Sequence, residues 1–236
     1  MNKMNEQKQL VPELRFSEFD ENWEIKNLGS IAENLSNKRI PITSSKREKG
    51  EIPYYGATGI IDYVKGFIFD EELLLISEDG ANLIDRNYPI AFSISGKTWI
   101  NNHAHVLRFK NKSTEALVQK FINSRSIEDY LTGQAQPKLN RKNLERISIP
   151  LAKAPKEQQK IAATLISLDN LITAESEKLE ALQAHKKGLL QQLFPAKGEK
   201  MPKLRFGEFS GEWEETTLSK LGDLINGLTY SPKDVR

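Results

Sequence analysis

The segment Ala91-Phe92-Ser93-Ile94-Ser95-Gly96-Lys97-Thr98 ends in Gly-Lys-Thr, the residues that close a phosphate-binding loop. Such a loop also needs glycine at its first position, so that backbone amides can cradle phosphate, and a helix directly after it. Here the first position is Ala91, and Trp99 through Val106 alternates like a strand. A hairpin turning at Gly96 is therefore expected instead of a nucleotide site. His103 and His105, two apart, would share one face of that strand and could begin a metal site. No third ligand stands at a recognisable spacing, and His185 is expected to face solvent from a helix. Glu71, Glu72, Glu78, Asp79 and Asp85 supply carboxylates, but not the compact set around a lysine that a metal-dependent nuclease requires. Asn87-Tyr88-Pro89 is not the Asn/Asp-Pro-Pro-aromatic tetrapeptide of amino-methylating enzymes. Cysteine is absent, which removes disulfides, thiolate catalysis and cysteine-ligated metals. The expectation is a protein without catalysis, metal or cofactor of its own.

Binding remains. The net charge is only +2, so an anionic partner would have to be met by local clusters. Lys38, Arg39, Lys46, Arg47 and Lys49 fall within twelve residues that hold one acid, Glu48. Lys138, Arg141, Lys142 and Arg146 form a second group. The first ten residues lack the apolar stretch of a secretory signal, and no apolar run reaches bilayer length. A cytoplasmic protein without membrane contact is the plain expectation.

The elements that must position these groups differ along the chain. Leu73–Ile76, Ile90–Ile94 and Val106–Phe109 read as strands, and Ser113–Tyr130 as one or two helices. This part is expected to be a mixed α+β domain. From Lys156 to Phe194 no glycine intervenes before Gly188, and Pro155 and Pro195 stand just outside. Prolines so placed bracket a helix of about 38 residues, roughly 55 Å long.

Its seam is regular. Ile161, Leu165, Leu168, Ile172, Glu175, Leu179, Leu182, Lys186, Leu189 and Leu193 follow a 4-3-4-3 spacing, the signature of a coiled coil. Two seam positions are charged, and they specify an orientation. If the helix pairs antiparallel with a copy of itself, Leu179 meets Leu182, Ile172 meets Leu189 and Leu168 meets Leu193. Glu175 then meets Lys186, twice by symmetry. A parallel pair would set Glu175 on Glu175 and Lys186 on Lys186, both repulsive.

The chain also repeats itself. Residues 12–28 and 202–218 are identical at nine of seventeen positions at a constant offset of 190, among them Leu14-Arg15-Phe16 and Leu204-Arg205-Phe206, Trp23 and Trp213. One unit of about 190 residues is thus followed by the start of a second.

This order of features resembles the specificity subunits of type I restriction–modification systems, which are tandem duplications of a target-recognition domain and a long helix. The resemblance rests on Leu14-Arg15-Phe16, Phe19 and Trp23; on Pro53–Asp62, Leu74–Ala81 and Asn102–Leu107; and on Leu139–Pro150 leading into Glu157-Gln158-Gln159-Lys160-Ile161-Ala162. It implies a tail at 1–11, a recognition domain at 12–153, a helical spacer at 154–195, and an incomplete second repeat at 196–236. It also implies a half-length or truncated form, in which recognition of double-stranded DNA directs partners to a bipartite target. Those partners would be modification subunits, which hold S-adenosylmethionine and methylate adenine, and motor-nuclease subunits.

Lysine and arginine would neutralise phosphates, while asparagine, glutamine and arginine can read base edges. The candidates are Lys38, Arg39, Lys46, Arg47, Tyr54, Lys97, Asn101, Gln134, Gln136 and Lys138. An antiparallel homodimer would be held by Leu168, Ile172, Glu175, Leu179, Leu182, Lys186, Leu189 and Leu193. The competing expectation is a coiled-coil scaffold whose globular part binds protein and reads no DNA.

Overall fold

A computed structural model describes residues 10–133 and 136–223. By compactness the chain divides inside its long helix, after Asp169. Along the first part run the strands β1 (Glu24–Asn27), β2 (Ala32–Asn34), β3 (Lys49–Gly56), β4 (Gly59–Val64), β5 (Phe69–Asp70), β6 (Leu73–Ser77), β7 (Ala91–Ile94), β8 (Lys97–Ile100), β9 (Ala104–Phe109) and β10 (Ser148–Leu151). The helices are α1 (Leu28–Ile31), α2 (Asn82–Asp85), α3 (Lys112–Ser124), α4 (Arg141–Glu145), α5 (Pro155–Leu193) and α6 (Leu218–Leu221).

Strand β6 explains the domain. Leu73-Leu74-Leu75-Ile76 is apolar without alternation, which suits a strand covered on both faces. It lies inside an antiparallel sheet of order β2-β9-β6-β7. Leu74 and Ile76 point to one side, against Val118 and Ile122 of α3. Leu73 and Leu75 point to the other, against Ile100, Phe69 and Leu35. That second core is closed by another sheet, β4-β3-β8-β5, in which β3 and β8 run parallel. Each fully buried leucine contributes about 1.5–3 kcal/mol, so this strand anchors both layers.

Side-chain amides fix the helix that covers the first core. Asn111 caps α3 by accepting from the amides of Ser113 and Thr114 at 2.8 and 3.2 Å. Asn123, near its end, accepts from the amides of Ile90 and Ala91, both at 3.0 Å, and donates to the Ala91 carbonyl at 2.7 Å. The edge strand β7 is thereby tied to the helix.

Two expectations are corrected here. Gly96 does make a turn, with φ +71°, but β7 and β8 do not form a hairpin across it. They belong to different sheets, and the turn passes the chain from one layer to the other. Nor do Trp99–Val106 form one strand: β8 ends at Ile100, and a turn at Asn102–His103 precedes β9. His103 and His105 therefore do not share a strand face. The alternation read there came from residue types alone: Ile100 and Asn101 are both buried, Asn102 and His103 both exposed, and Ala104, His105 and Val106 all buried.

The fold class is as expected, a mixed α+β domain followed by a long helix, α5, spanning Pro155–Leu193. Along α5 the seam residues Leu168, Ile172, Leu179 and Leu182 each expose half or more of their surface. Few residues of α5 are buried: Glu157 and Ala162, both in its first two turns.

The sequence repeat is also a structural repeat. In the first copy the Phe19 amide donates to the Phe16 carbonyl (3.2 Å) and the Trp23 amide to the Leu10 carbonyl (3.0 Å). In the second, Phe209 donates to Phe206 (3.1 Å) and Trp213 to Lys200 (2.8 Å). Arg15 donates to the Glu21 carbonyl as Arg205 does to that of Gly211. Helix α6 falls at the same offset from α1.

Candidate nucleic-acid interface

The cationic candidates separate into those used up inside the domain and those left at its surface. Arg39 is turned inward. Its Nη1 donates to Glu78 Oε2 and to the Ala104 carbonyl, both at 2.6 Å, and its Nε donates to the Ser36 carbonyl at 2.7 Å. Tyr54 is fully buried, and its hydroxyl accepts from the Ile42 amide at 2.9 Å. Arg47 lies 4.5 Å from the centre of the Tyr54 ring and pairs with Asp62 at 3.1 Å. That guanidinium holds the Asp62 carboxyl below its ordinary range. Asn101 is buried too; its Oδ1 accepts from the His103 amide at 2.8 Å, shaping the turn before β9. Arg39, Tyr54 and Asn101 thus serve the fold in this conformation, and Arg47 largely does.

Lys38, Lys46, Lys97, Gln136 and Lys138 are exposed. Lys97 sits 4.9 Å from the centre of the ring of Phe67, which is itself exposed. Ile60, Ile61 and Tyr63 on β4 are exposed as well, and sequence reasoning passed over them because residues 59–64 carry no alternation to mark an outward face. Lys138 closes a loop that begins at Thr132, through paired backbone bonds of 2.8 and 2.7 Å. Gly133 in that loop has φ +85°, and a Cβ there would stand 2.4 Å from the Gln136 carbonyl oxygen, so only glycine fits. Gln134 lies outside the described residues.

Beneath the loop a buried polar network joins these elements. Glu78 pairs with Arg39 at 2.6 Å and with Lys138 at 3.4 Å, and the ring of His105 lies 3.7 Å away. Burial pushes the Glu78 carboxyl up, but the Arg39 hydrogen bond and the neighbouring cations outweigh it and hold the group below its usual value. Burial dominates for His105 and pushes its pKa down, which keeps the ring neutral. Its Nε2–H then donates to the Leu139 carbonyl at 2.7 Å, leaving Nδ1 to accept from Ser36 Oγ at 3.4 Å. His103 faces outward, paired with Asp79 at 2.9 Å. Among the described residues no three His, Cys, Asp or Glu side chains stand as a metal-binding group. No helix among them is long and apolar enough to cross a membrane.

A second buried acid joins the domain to α5. Glu157 in the first helical turn receives Arg15 on both oxygens, at 2.7 and 2.8 Å, and the Trp23 indole N–H at 3.0 Å. These bonds, the arginine's first, hold its carboxyl below its usual range.

The chain is similar to proteins of known family. The type I restriction enzyme MjaVIII specificity subunit of Methanocaldococcus jannaschii is 28% identical over 223 residues, 89% of this chain and 51% of that protein. A Haemophilus influenzae protein named as a type I restriction enzyme specificity subunit is 38% identical over 128 residues, 54% of this chain and 33% of its own length. The chain thus spans between a third and a half of these relatives. In fold it is similar to the S subunit of a type I restriction–modification system from M. genitalium, with TM-score 0.53, 21% identity, and coverage of 74% of this chain and 46% of that one. A chain solved in a study of complex assembly in the type I R-M system gives TM-score 0.51 at 17% identity, covering 71% and 43%. The model of the type I restriction modification DNA specificity domain matches residues 20–184, from before β1 to deep in α5. That match runs over more than half of the chain, which therefore belongs to the type I restriction modification DNA specificity domain family.

Proposed function

We propose that this chain is the DNA-reading component of a type I restriction–modification assembly and performs no catalysis itself. The observation that carries the reading is the family match across residues 20–184, which takes in the strands β1 to β10 and most of α5 together. The exposed Lys38, Lys46, Lys97 and Lys138 supply phosphate ligands, and Gln136 at the loop supplies a reader of base edges. The exposed seam of α5 supplies a dimer interface, in which a second copy lies antiparallel and Glu175 faces Lys186. Two identical readers on a two-fold axis would recognise an inverted repeat split by a spacer. Modification subunits in the cytoplasm would bring S-adenosylmethionine and methylate adenine at that site, and motor-nuclease subunits would join for cleavage.

Methylation mapping in cells making this chain with its modification subunit tests the reading. A split palindromic motif is expected. An asymmetric split motif would overturn the homodimer. Absence of both new methylation and salt-dependent, sequence-specific DNA binding would overturn DNA reading.

A further inference from the structure

The repeated motif Leu-Arg-Phe-x-Glu-Phe-x-x-x-Trp meets an acid in its first copy and, among the described residues, none in its second. In the first, Arg15 and Trp23 grip the buried Glu157, and the Lys160 ammonium stands 4.3 Å from the centre of the Phe16 ring. Leu14 is left 91% exposed. In the second, the Leu204 amide donates to the Gln192 carbonyl at 2.9 Å, and the Trp213 ring packs edge-on against Phe194 at 5.6 Å. Arg205 donates only to the carbonyls of Gly211 and Ser210, with no carboxylate partner among the described residues, and Phe206 is 63% exposed.

Because the two copies share their internal hydrogen bonds, the second already has the shape that fits a Glu157. Charge complementarity agrees, a spare guanidinium against a buried carboxylate. The seam register says where that acid comes from. With Glu175 on Lys186, Leu193 of one copy meets Leu168 of the other, so the chain leaving Leu193 runs toward the partner's Leu165, Ile161 and Glu157. Beside Glu157 lies an apolar cavity of about 320 Å³, lined by Leu14, Phe16, Trp23, Ile161 and Leu165.

We propose that the Glu157 seat of one copy is a docking site for segment 202–213 of a second copy, Arg205 and Trp213 taking the place of the seat's own Arg15 and Trp23. The proposal rests on the antiparallel pairing. Each end of the helix pair then has one acid and two competing segments, and their exchange couples the start of the recognition domain to dimerisation.

The chain has no cysteine, so introduced thiols report contacts directly. By equivalence with Phe16 on Lys160, a Lys160→Cys/Phe206→Cys variant of the full chain should form a disulfide of dimer mass. Arg15→Ala should raise its yield several-fold by freeing the seat, and Arg205→Ala should remove it. Should Arg15→Ala not fold, the Arg205→Ala comparison decides alone. Leu179→Cys/Leu182→Cys reports the helix register independently. Cross-linking at that seam without a 160–206 dimer, or with one of monomer mass, or with one indifferent to Arg205→Ala, overturns the exchange and leaves the helix pair standing. No cross-link at either position overturns both.

Discussion

Arg39 and Glu78 form an ion pair of 2.6 Å, each side chain no more than 14% exposed, under the loop that carries Gln136 and Lys138. A residue whose type suggests phosphate binding is thereby committed to holding two segments together. Arg39→Ala should lower the melting temperature, by about 1–3 kcal/mol of stability, since it strands a part-buried carboxylate. Lys46→Ala should leave melting nearly unchanged, and Lys138→Ala should lower it much less than Arg39→Ala, since its pair with Glu78 is longer and the lysine half exposed. Each lysine change should instead weaken DNA binding and reduce its salt slope by about one. Titration of DNA affinity against salt, beside thermal melts, separates the two classes.

The buried His105 gives a pH dependence with a definite sign. Its folded pKa is lowered by burial, so the unfolded chain takes up the proton first. Stability should be full above the ordinary histidine value of about 6.5 and should fall as pH drops below it. Glu78 and Glu157, also lowered, contribute stability above the usual carboxylate range and lose it as pH falls through their folded values. Melts at successive pH values should show the histidine phase first, and His105→Gln should flatten that phase while leaving the more acidic one.

The seam charges predict a rescue. Lys186→Glu should raise the dimer dissociation constant about tenfold, as two exposed attractive pairs turn repulsive at about 1 kcal/mol or less each. Adding Glu175→Lys should restore the affinity. Sedimentation of the single and double variants measures both, and failure of the second change to rescue would reject this register.

Gly133→Ala tests the loop. The new methyl group meets the Gln136 carbonyl at 2.4 Å in a backbone conformation that alanine disfavours. We expect DNA affinity to fall at least as steeply as in Lys138→Ala, with the melting temperature reduced only slightly. Equal affinity would remove Gln136 and its loop from the interface.

Much of the architecture is legible in the sequence. Period and punctuation place β6, α3 and α5, because burial on both faces, capping and bracketing prolines are local physics. The turn at Gly96 is legible as well, yet its partners are not. A strand's pattern says that it pairs, and says nothing about which sheet receives it. The same limit applies to Arg39, Tyr54 and Asn101. Composition marks them as able to bind, but only the packing of Ser36, Glu78 and Ala104 around Arg39 shows that its hydrogen bonds are already made. Conversely, Glu157 sits in a polar run that reads as solvent-facing, and its burial depends on Arg15, 142 residues away.

Strands β1 and β10 lie side by side, with Glu24 opposite Leu151 and Asn27 opposite Ser148. The way into the globular domain and the way out are thus one strand spacing apart, about 4.8 Å. A graft of residues 28–147 would therefore join at two matched ends while Arg15, Trp23 and Glu157 stay in place, with the contacts of α3 to α5, such as Thr114 to Gln158, to be made anew.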